Sequence, residues 1–189
     1  MKKTIGRPQP FGAVVERDRV NFAVQVPAGK TCELLVYRRG EETPRFCFDM
    51  PEEEGIGEVR FLALEEIDAA EYEYNFRVGG RVYVDPYVKE LAGREKFGVP
   101  RDVQQHQIRG RMVSAEYDWE DDRPLKLPWS QVVAYSLHVR GFTKHSSSKA
   151  AHKGTYLGVI EKIPYLKDLG INQIQCMPVY EFEECEKGK

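Results

Sequence analysis

The chain has 189 residues, of which 41% are hydrophobic and 31% are charged, so it can form one globular domain, or one domain and part of another. A formal net charge of −2 gives no reason to expect nucleic acid or an anionic membrane as a partner. No stretch approaches the roughly 20 apolar residues of a membrane span, and the N-terminus lacks the apolar core of a signal peptide. We therefore expect a cytoplasmic protein.

Short runs of alternating apolar residues fill the first half of the chain, as expected of β-strands. Residues 72–78 lead through Gly79 and Gly80 into a returning strand, which predicts a tight hairpin. Together these short runs predict an antiparallel β-sandwich. The apolar sets expected to share one face of their strand are Val20, Phe22, Val24 and Val26; Cys32, Leu34 and Val36; Phe46, Phe48 and Met50; Val59, Phe61 and Ala63; and Tyr72, Tyr74, Phe76 and Val78.

Residues 93–130 contain several Gly and Pro residues and are poorly periodic, which predicts a connector between two domains. The acidic residues between Glu116 and Asp122 lack the glycine and the regular spacing of a calcium-binding loop, so we interpret them as a solvated turn. The predicted boundaries are therefore 1–92 for the first domain, 93–130 for the connector and 131–189 for the remainder.

The cysteines and histidines predict neither a metal site nor a cofactor. The four cysteines follow no metal-ligand spacing and no evident disulfide framework, so we interpret them as free thiols. They are Cys32, Cys47, Cys176 and Cys185. His145 and His152 share a Ser- and Lys-rich loop with no carboxylate or cysteine between them, which is more typical of a solvated loop than of a ligand set.

The last third of the chain is predicted to form a strand, a helix and a second strand, the repeating unit of parallel α/β folds. Residues 132–139 are a nearly continuous apolar run, as in a strand covered on both faces, and 171–177 form the second strand. Gly170 supplies a left-handed stop to the helix, and Pro164 predicts a kink or a helix beginning near it. The apolar stripe of the helical stretch comprises Val159, Ile160, Ile163, Leu166 and Leu169.

Four motifs in this region carry a family resemblance. They are YSLHVRGFT (135–143), KGTYLGV (153–159), YLKDLGI (165–171) and IQCMPVYEF (174–182). In this order and spacing they resemble the start of the α-amylase superfamily barrel, glycoside hydrolase family thirteen, in its pullulanase, isoamylase and glycogen-debranching branch. The runs FGAVVE, NFAVQVPAG, YEYNFRVGG and VDPY similarly resemble the family-forty-eight carbohydrate-binding module that precedes such barrels. The resemblance implies an immunoglobulin-like β-sandwich followed by the first β-α-β unit of a (β/α)8 TIM barrel, which is truncated.

The resemblance also implies an activity, the retaining hydrolysis of α-1,6-glucosidic branch linkages in glycogen, starch or pullulan. Such enzymes use two carboxyl groups that flank the scissile bond, and a barrel presents them at the carboxyl ends of its strands. In this superfamily the three reactive acids follow strands four, five and seven, whereas this chain stops just past the second. We therefore expect no catalytic residue in the chain, no activity from it alone, and a branched α-glucan as partner of the parent protein.

Three tyrosines are the candidate sugar contacts. Tyr180 follows the second barrel strand, on the face where a barrel forms its active site, and is expected to touch substrate. Tyr37 and Tyr83 are the first candidates for exposed rings in the sandwich, because an aromatic face is free to stack on a sugar only where no core occupies it. The glutamates after Tyr180 are interpreted as a charged tail and not as a catalytic pair: Glu181, Glu183, Glu184 and Glu186.

Two other interpretations stay open. The chain can be a non-catalytic glucan-binding or regulatory module whose β-α-β appendage is structural. It can also be the N-terminal part of a glycogen branching or trehalose-forming enzyme, which shares the sandwich and differs in the reaction. In each case an incomplete barrel leaves the apolar helical stripe uncovered, so we expect the chain to self-associate through that face.

Overall fold

A computed structural model describes residues 1–99, 108–114, 117–180 and 182. These residues fall into two compact units, unit 1 within Met1–Asp118 and unit 2 within Trp119–Glu183. The chain is mostly β-sheet with few helices, as the sequence predicts. Across the described residues, no helix combines the length and the apolar character that crossing a membrane requires.

In unit 1 the described residues form ten strands in two sheets. They are β1 (Lys2–Thr4), β2 (Gly12–Val15), β3 (Arg19–Gln25), β4 (Cys32–Arg38), β5 (Phe46–Asp49), β6 (Val59–Glu65), β7 (Tyr72–Val78), β8 (Arg81–Tyr83), β9 (Glu90–Ala92) and β10 (Arg109–Arg111). The four-stranded sheet has the order β1-β6-β3-β2, and the six-stranded sheet has the order β5-β4-β7-β10-β9 with β8 paired to β7. All of these pairings are antiparallel.

One apolar core joins the two sheets, because each sheet directs alternate side chains toward the other. Phe22 on β3 and Tyr74 on β7 meet there edge to face, with ring centroids 5.2 Å apart. The faces predicted for β3 and β4 are confirmed. The buried core residues are Ala13, Val20, Phe22, Val24, Val26, Cys32, Leu34, Val36, Met50, Leu62, Leu64, Tyr74, Phe76 and Met112.

On β6 the apolar set predicted to share one face, Val59, Phe61 and Ala63, is not the set that faces the core. Leu62 and Leu64 belong to the core, whereas Ala63 lies on the opposite face and is nevertheless fully buried. Ala63 pairs with Asn21 of β3, and the Asn21 side chain accepts a hydrogen bond from the Arg7 amide (2.7 Å) and donates one to the Arg7 carbonyl (3.1 Å). The N-terminal segment is thereby fastened over this face. Because β6 is covered on both sides, alternation alone does not reveal which side faces the core.

Part of the predicted connector is a β-strand. Strand β10 lies within residues 93–130 and pairs with both β7 and β9. Gly110 of β10 lies opposite Tyr74, where a Cβ atom would come within 2.7 Å of the tyrosine ring. Glycine therefore permits the strand to lie there. Arg111 fixes the strand further through an ion pair with Glu95 at 2.6 Å. The acidic residue Glu116 lies outside the described part of the chain.

The described residues of unit 2 form a parallel pair of strands with three short α-helices and a 3-10 turn, Ser146–Ser148, between them. Its elements are β11 (Ala134–Leu137), α1 (Val139–Lys144), α2 (Tyr156–Glu161), α3 (Ile163–Asp168) and β12 (Gln173–Cys176). Both strands are shorter than predicted. Val139 belongs to α1, because the His138 imidazole accepts a hydrogen bond from the Gly141 amide (3.0 Å) and caps the helix.

The helical stretch of unit 2 is interrupted where the sequence places a proline. Pro164 occupies the first turn of α3, where its missing N–H costs no hydrogen bond, and α2 ends at Glu161. The helix beginning predicted near Pro164 is therefore confirmed, as is the left-handed conformation of Gly170, with φ of 80°. Asn172 then links the starts of the two strands, accepting from the Val133 amide and donating to the Gln131 carbonyl, both at 2.8 Å.

The Asp-Pro-Tyr sequence at the end of β8 is anchored in unit 1 by a buried hydrogen bond. The Tyr74 hydroxyl donates to Asp85 Oδ2 at 2.5 Å, and the Tyr87 amide donates to Asp85 Oδ1 at 2.9 Å. Asp85 is 1% exposed, and its burial raises the pKa of the carboxyl above its ordinary value, although the Tyr74 bond opposes that rise. The carboxyl group therefore fixes the direction in which the chain leaves the sheet.

We expect Tyr74→Phe to destabilise unit 1 in a pH-dependent way. Because the pKa of Asp85 is higher in the folded chain than in the unfolded chain, protonation of this carboxyl favours folding. That contribution to stability is fully present below the unfolded-state pKa and is lost as pH rises through the folded-state pKa. Removing the hydroxyl raises that pKa further. The free energy of unfolding should fall by about 1–3 kcal/mol at pH 7 and by less at pH 4.

Urea denaturation at the two pH values measures this difference, with Tyr72→Phe on the same strand as the control. A loss in Tyr74→Phe that is equal at both pH values would show that the hydroxyl does not act through the charge of Asp85.

Candidate functional site

A groove of about 640 Å³ opens in unit 1 beside the turn of the β7–β8 hairpin. Its floor includes Val24 and Phe76, which also belong to the core. Its rim is formed by exposed side chains from two segments of the chain, 25–30 and 81–86, namely Gln25, Pro27, Lys30, Arg81, Tyr83 and Pro86. The groove therefore combines an apolar base with a polar edge, as is typical of small-molecule sites.

The hairpin turn determines where the rim side chains lie. Gly79 and Gly80 both have positive φ, 54° and 81°, which glycine adopts without strain and which closes a two-residue hairpin. In the resulting register Tyr83 lies opposite Phe76, and Arg81 lies opposite Val78. Directly paired residues share a face, so Arg81 and Tyr83 lie on the core side of the sheet, beside the groove floor.

Tyr83 is an exposed aromatic ring, as the sequence predicts, with half of its surface accessible. Within the described residues its ring makes no stacking contact with another aromatic ring. One face is therefore open to a ligand ring, and Pro27 and Pro86 add apolar surface along the same groove.

The prediction that Tyr37 offers an exposed ring is wrong, because Tyr37 is 2% exposed. The Arg109 guanidinium carbon lies 3.8 Å from the centroid of its ring. Arg109 itself is held by the Glu41 carbonyl at 2.6 Å, and burial raises the pKa of the Tyr37 phenol. Arg109 comes from β10, about seventy positions further along the chain, so nothing in the local pattern around Tyr37 indicated its burial.

The carboxyl ends of β11 and β12 form the second candidate surface. The parallel ladder continues to Met177, whose amide donates to the Leu137 carbonyl at 2.8 Å. Tyr180 follows three residues later and is 84% exposed. It therefore lies after the carboxyl end of a parallel strand, where the sequence places it, and its contact with substrate stays a prediction. Glu181, Glu183, Glu184 and Glu186 lie outside the described residues.

The histidine loop in unit 2 contains a contact that the sequence analysis missed. His152 Nδ1 lies 2.7 Å from Glu161 Oε1, and this bond lowers the pKa of the Glu161 carboxyl. His145 contacts Ser147 through its Nδ1 atom at 2.8 Å. In the described part of the chain, no three His, Cys, Asp or Glu residues form a group able to hold a metal ion.

Three cysteines are free thiols in the structure, as expected: Cys32, Cys47 and Cys176. Cys32 lies in the core, and burial raises the pKa of its thiol to about 12, so it stays protonated at neutral pH. Cys47 and Cys176 are exposed. Cys185 lies outside the residues that the structure describes.

The fold of the chain is similar to that of solved pullulanases. The pullulanase of Paenibacillus barengoltzii, crystallised with maltohexaose and α-cyclodextrin, matches with a TM-score of 0.70 and 23% sequence identity over 95% of this chain and 29% of that one. At this identity the likeness concerns the fold alone. No protein-family model matches the chain.

Curated relatives are more similar in sequence. Isoamylase 1, chloroplastic, of Arabidopsis thaliana is 36% identical over 96% of this chain and 26% of its own length. The glycogen debranching enzyme of Enterobacter sp. (strain 638) is 31% identical over 95% of this chain and 30% of its own length. The chain thus spans between a quarter and a third of the length of these two relatives.

These comparisons define the class of protein, because the relatives are glycoside hydrolases of the debranching type. Over nearly all of its length the chain is similar to an N-terminal part of proteins named isoamylase and glycogen debranching enzyme. The resemblance stated from the sequence motifs is thereby confirmed. The cytoplasmic location stays a prediction, since a relative named above is chloroplastic.

Proposed function

We propose that this chain is the N-terminal part of a retaining glycosidase that hydrolyses α-1,6 branch linkages in glycogen, starch or pullulan. The observation that carries the proposal is the parallel β11–β12 pair, joined through helices, in a chain similar over 96% of its length to an isoamylase. Parallel strands connected by helices are the unit of the (β/α)8 barrel, which presents its catalytic acids at the carboxyl ends of later strands.

The domain arrangement belongs to the same proposal. Two antiparallel sheets around one core support an immunoglobulin-like β-sandwich in unit 1, with the module proper in 1–92. Residues 93–130 then form the connector, whose strand β10 is inserted between β7 and β9 of the sandwich, and 131–189 begin the barrel. In this arrangement Tyr180 lies on the active-site face of the intact barrel.

The groove beside Tyr83 favours a second function for the chain, the binding of an α-glucan by unit 1. It offers an open aromatic face above an apolar floor, the arrangement on which a sugar ring stacks. A solved structure with a similar fold contains maltohexaose and α-cyclodextrin. The glucan chain proposed for the groove is the same polymer that the intact enzyme would cleave.

We expect the 189-residue chain to release no reducing sugar from pullulan or glycogen. None of the three acid positions that the family uses, after strands four, five and seven, lies within it. A reducing-end assay with equimolar pullulanase as the positive control measures this. Hydrolysis that persists through purification over two different columns would contradict the proposed division between this segment and the catalytic acids.

We expect Tyr83→Ala to weaken the binding of amylopectin at least threefold, because it removes the exposed aromatic face of the groove. Affinity electrophoresis in gels containing amylopectin measures the dissociation constant. Tyr117→Ala, which also removes an exposed tyrosine but lies outside the groove lining, is the matched control. Equal retardation of Tyr83→Ala and the unmodified chain would exclude the groove as the glucan site.

The uncovered barrel surface of unit 2 supports the proposal that this chain self-associates. Ile160, Ile163 and Leu169 from the predicted apolar stripe are 57%, 42% and 52% exposed. Val159 and Leu166, from the same stripe, are buried within the unit. The exposed members together form apolar surface of the kind that monomeric proteins rarely leave open.

We expect the unmodified chain to form dimers or larger species at micromolar concentration, and Ile160→Lys/Leu169→Lys to shift it toward the monomer. Asp168→Lys is the matched control, since it changes the net charge by the same two units at an exposed position of the same helix region. Sedimentation velocity measures the distribution. A monomeric unmodified chain, or an equal shift in the control, would contradict association through this stripe.

A further inference from the structure

The charged side chains on the rim of the groove are cationic. Lys30 and Arg81 line it together with Tyr83, and no described Asp or Glu does. Among the described residues neither Lys30 nor Arg81 forms an ion pair. Both are exposed, so the groove presents two positive charges that the described part of the protein does not neutralise.

Carboxylates near the rim already have partners. Glu52 accepts a hydrogen bond from the Gly29 amide at 3.3 Å and forms an ion pair with Arg60 at 3.2 Å. Glu58 accepts a hydrogen bond from the Gln25 amide at 3.1 Å, and Asp85 is buried against the Tyr74 hydroxyl at 2.5 Å. Asp85 is adjacent to Pro86 in the sequence, but it is 1% exposed and directed into the unit. None of these carboxylates lines the groove, so among the described residues Lys30 and Arg81 are the charged groups in its lining.

The hairpin holds the two cations beside the ring. A Cβ atom on Gly79 would lie 3.3 Å from Lys30 Cδ, so the Lys30 stem lies against the turn that leads directly into Arg81. Arg81 and Tyr83 are two residues apart on β8 and therefore share one face. A ligand stacked on Tyr83 thus has cationic groups on the same side of the sheet.

We propose that this groove binds an α-glucan chain that carries a phosphate monoester. The inference rests on the proposed glucan binding and adds its chemistry. A glucose residue has hydroxyl groups and no charge, so a neutral glucan would leave both cations unused. A phosphate monoester carries close to two negative charges at neutral pH and accepts charge-assisted hydrogen bonds from Arg and Lys. Tyr83 stacks on a sugar ring, and Lys30 and Arg81 bind the ester.

Calorimetric titration of the 189-residue chain tests the proposal with four probes, namely maltoheptaose, maltoheptaose 6-phosphate, glucose 6-phosphate and inorganic phosphate. We expect the phosphorylated heptaose to bind about tenfold more tightly than the neutral one, since two exposed ion pairs together contribute about that factor. The two small anions are expected to bind at least tenfold more weakly than the phosphorylated heptaose. Raising the salt concentration should reduce the preference.

Two double variants separate a specific site from a general charge effect. Lys30→Ala/Arg81→Ala should bind both heptaoses with equal affinity. Lys2→Ala/Arg17→Ala removes two exposed positive charges outside the groove lining and should keep the tenfold preference. Tyr83→Ala should weaken both heptaoses by a similar factor, because stacking is common to the two ligands.

The outcomes distinguish this inference from the glucan binding on which it rests. Equal affinity for the two heptaoses in the unmodified chain overturns phosphate recognition and leaves glucan binding in place. A preference that survives in Lys30→Ala/Arg81→Ala overturns the assignment to these residues. Small anions that bind as tightly as the phosphorylated heptaose show a simple anion site and overturn the glucan part. If neither heptaose binds, the inference and the proposed glucan binding both fail.

Discussion

The hydrogen bond between Tyr74 and Asp85 is the constraint on which the arrangement of unit 1 depends. Tyr74 lies on β7, the strand that pairs with β4, β8 and β10, and its ring fills the core against Phe22. Its hydroxyl holds a buried carboxyl at the point where the chain leaves β8. The same contact thus connects the core to the segment that carries the rim of the groove, and a shift in Asp85 would move Pro86 and the end of β8 together.

In unit 2, by contrast, the strands are largely exposed. Its two strands have a defined parallel register, fixed at their starts by the Asn172 side chain, yet every residue of β12 is exposed. A parallel strand is ordinarily covered on both faces by helices or by further strands. In the barrel that we propose, further strands and helices would cover the apolar side chains around this pair.

In an intact enzyme of the proposed kind, the two candidate surfaces would have different roles. In the proposed barrel, the carboxyl ends of β11 and β12, with Tyr180 beyond them, would lie on the side where bonds are cleaved. The groove of unit 1 has an aromatic face and two cations, and no acid among its described lining residues, so the role we propose for it is to bind the polymer and not to cleave it. A binding site of this kind raises the local concentration of a branched substrate by keeping a second part of it attached.

The sequence by itself determined the strand periodicity of unit 1, the Gly79–Gly80 hairpin, the helix beginning at Pro164 and the family motifs, because each depends on neighbours along the chain. It did not determine which side of β6 faces the core, since that depends on the N-terminal segment held by Asn21. Nor did it reveal that Tyr37 is buried beneath Arg109, or that Lys30 lies beside Arg81 and Tyr83. These contacts join residues distant in sequence, and burial and charge at a site are set by such long-range neighbours, which only the tertiary structure brings together.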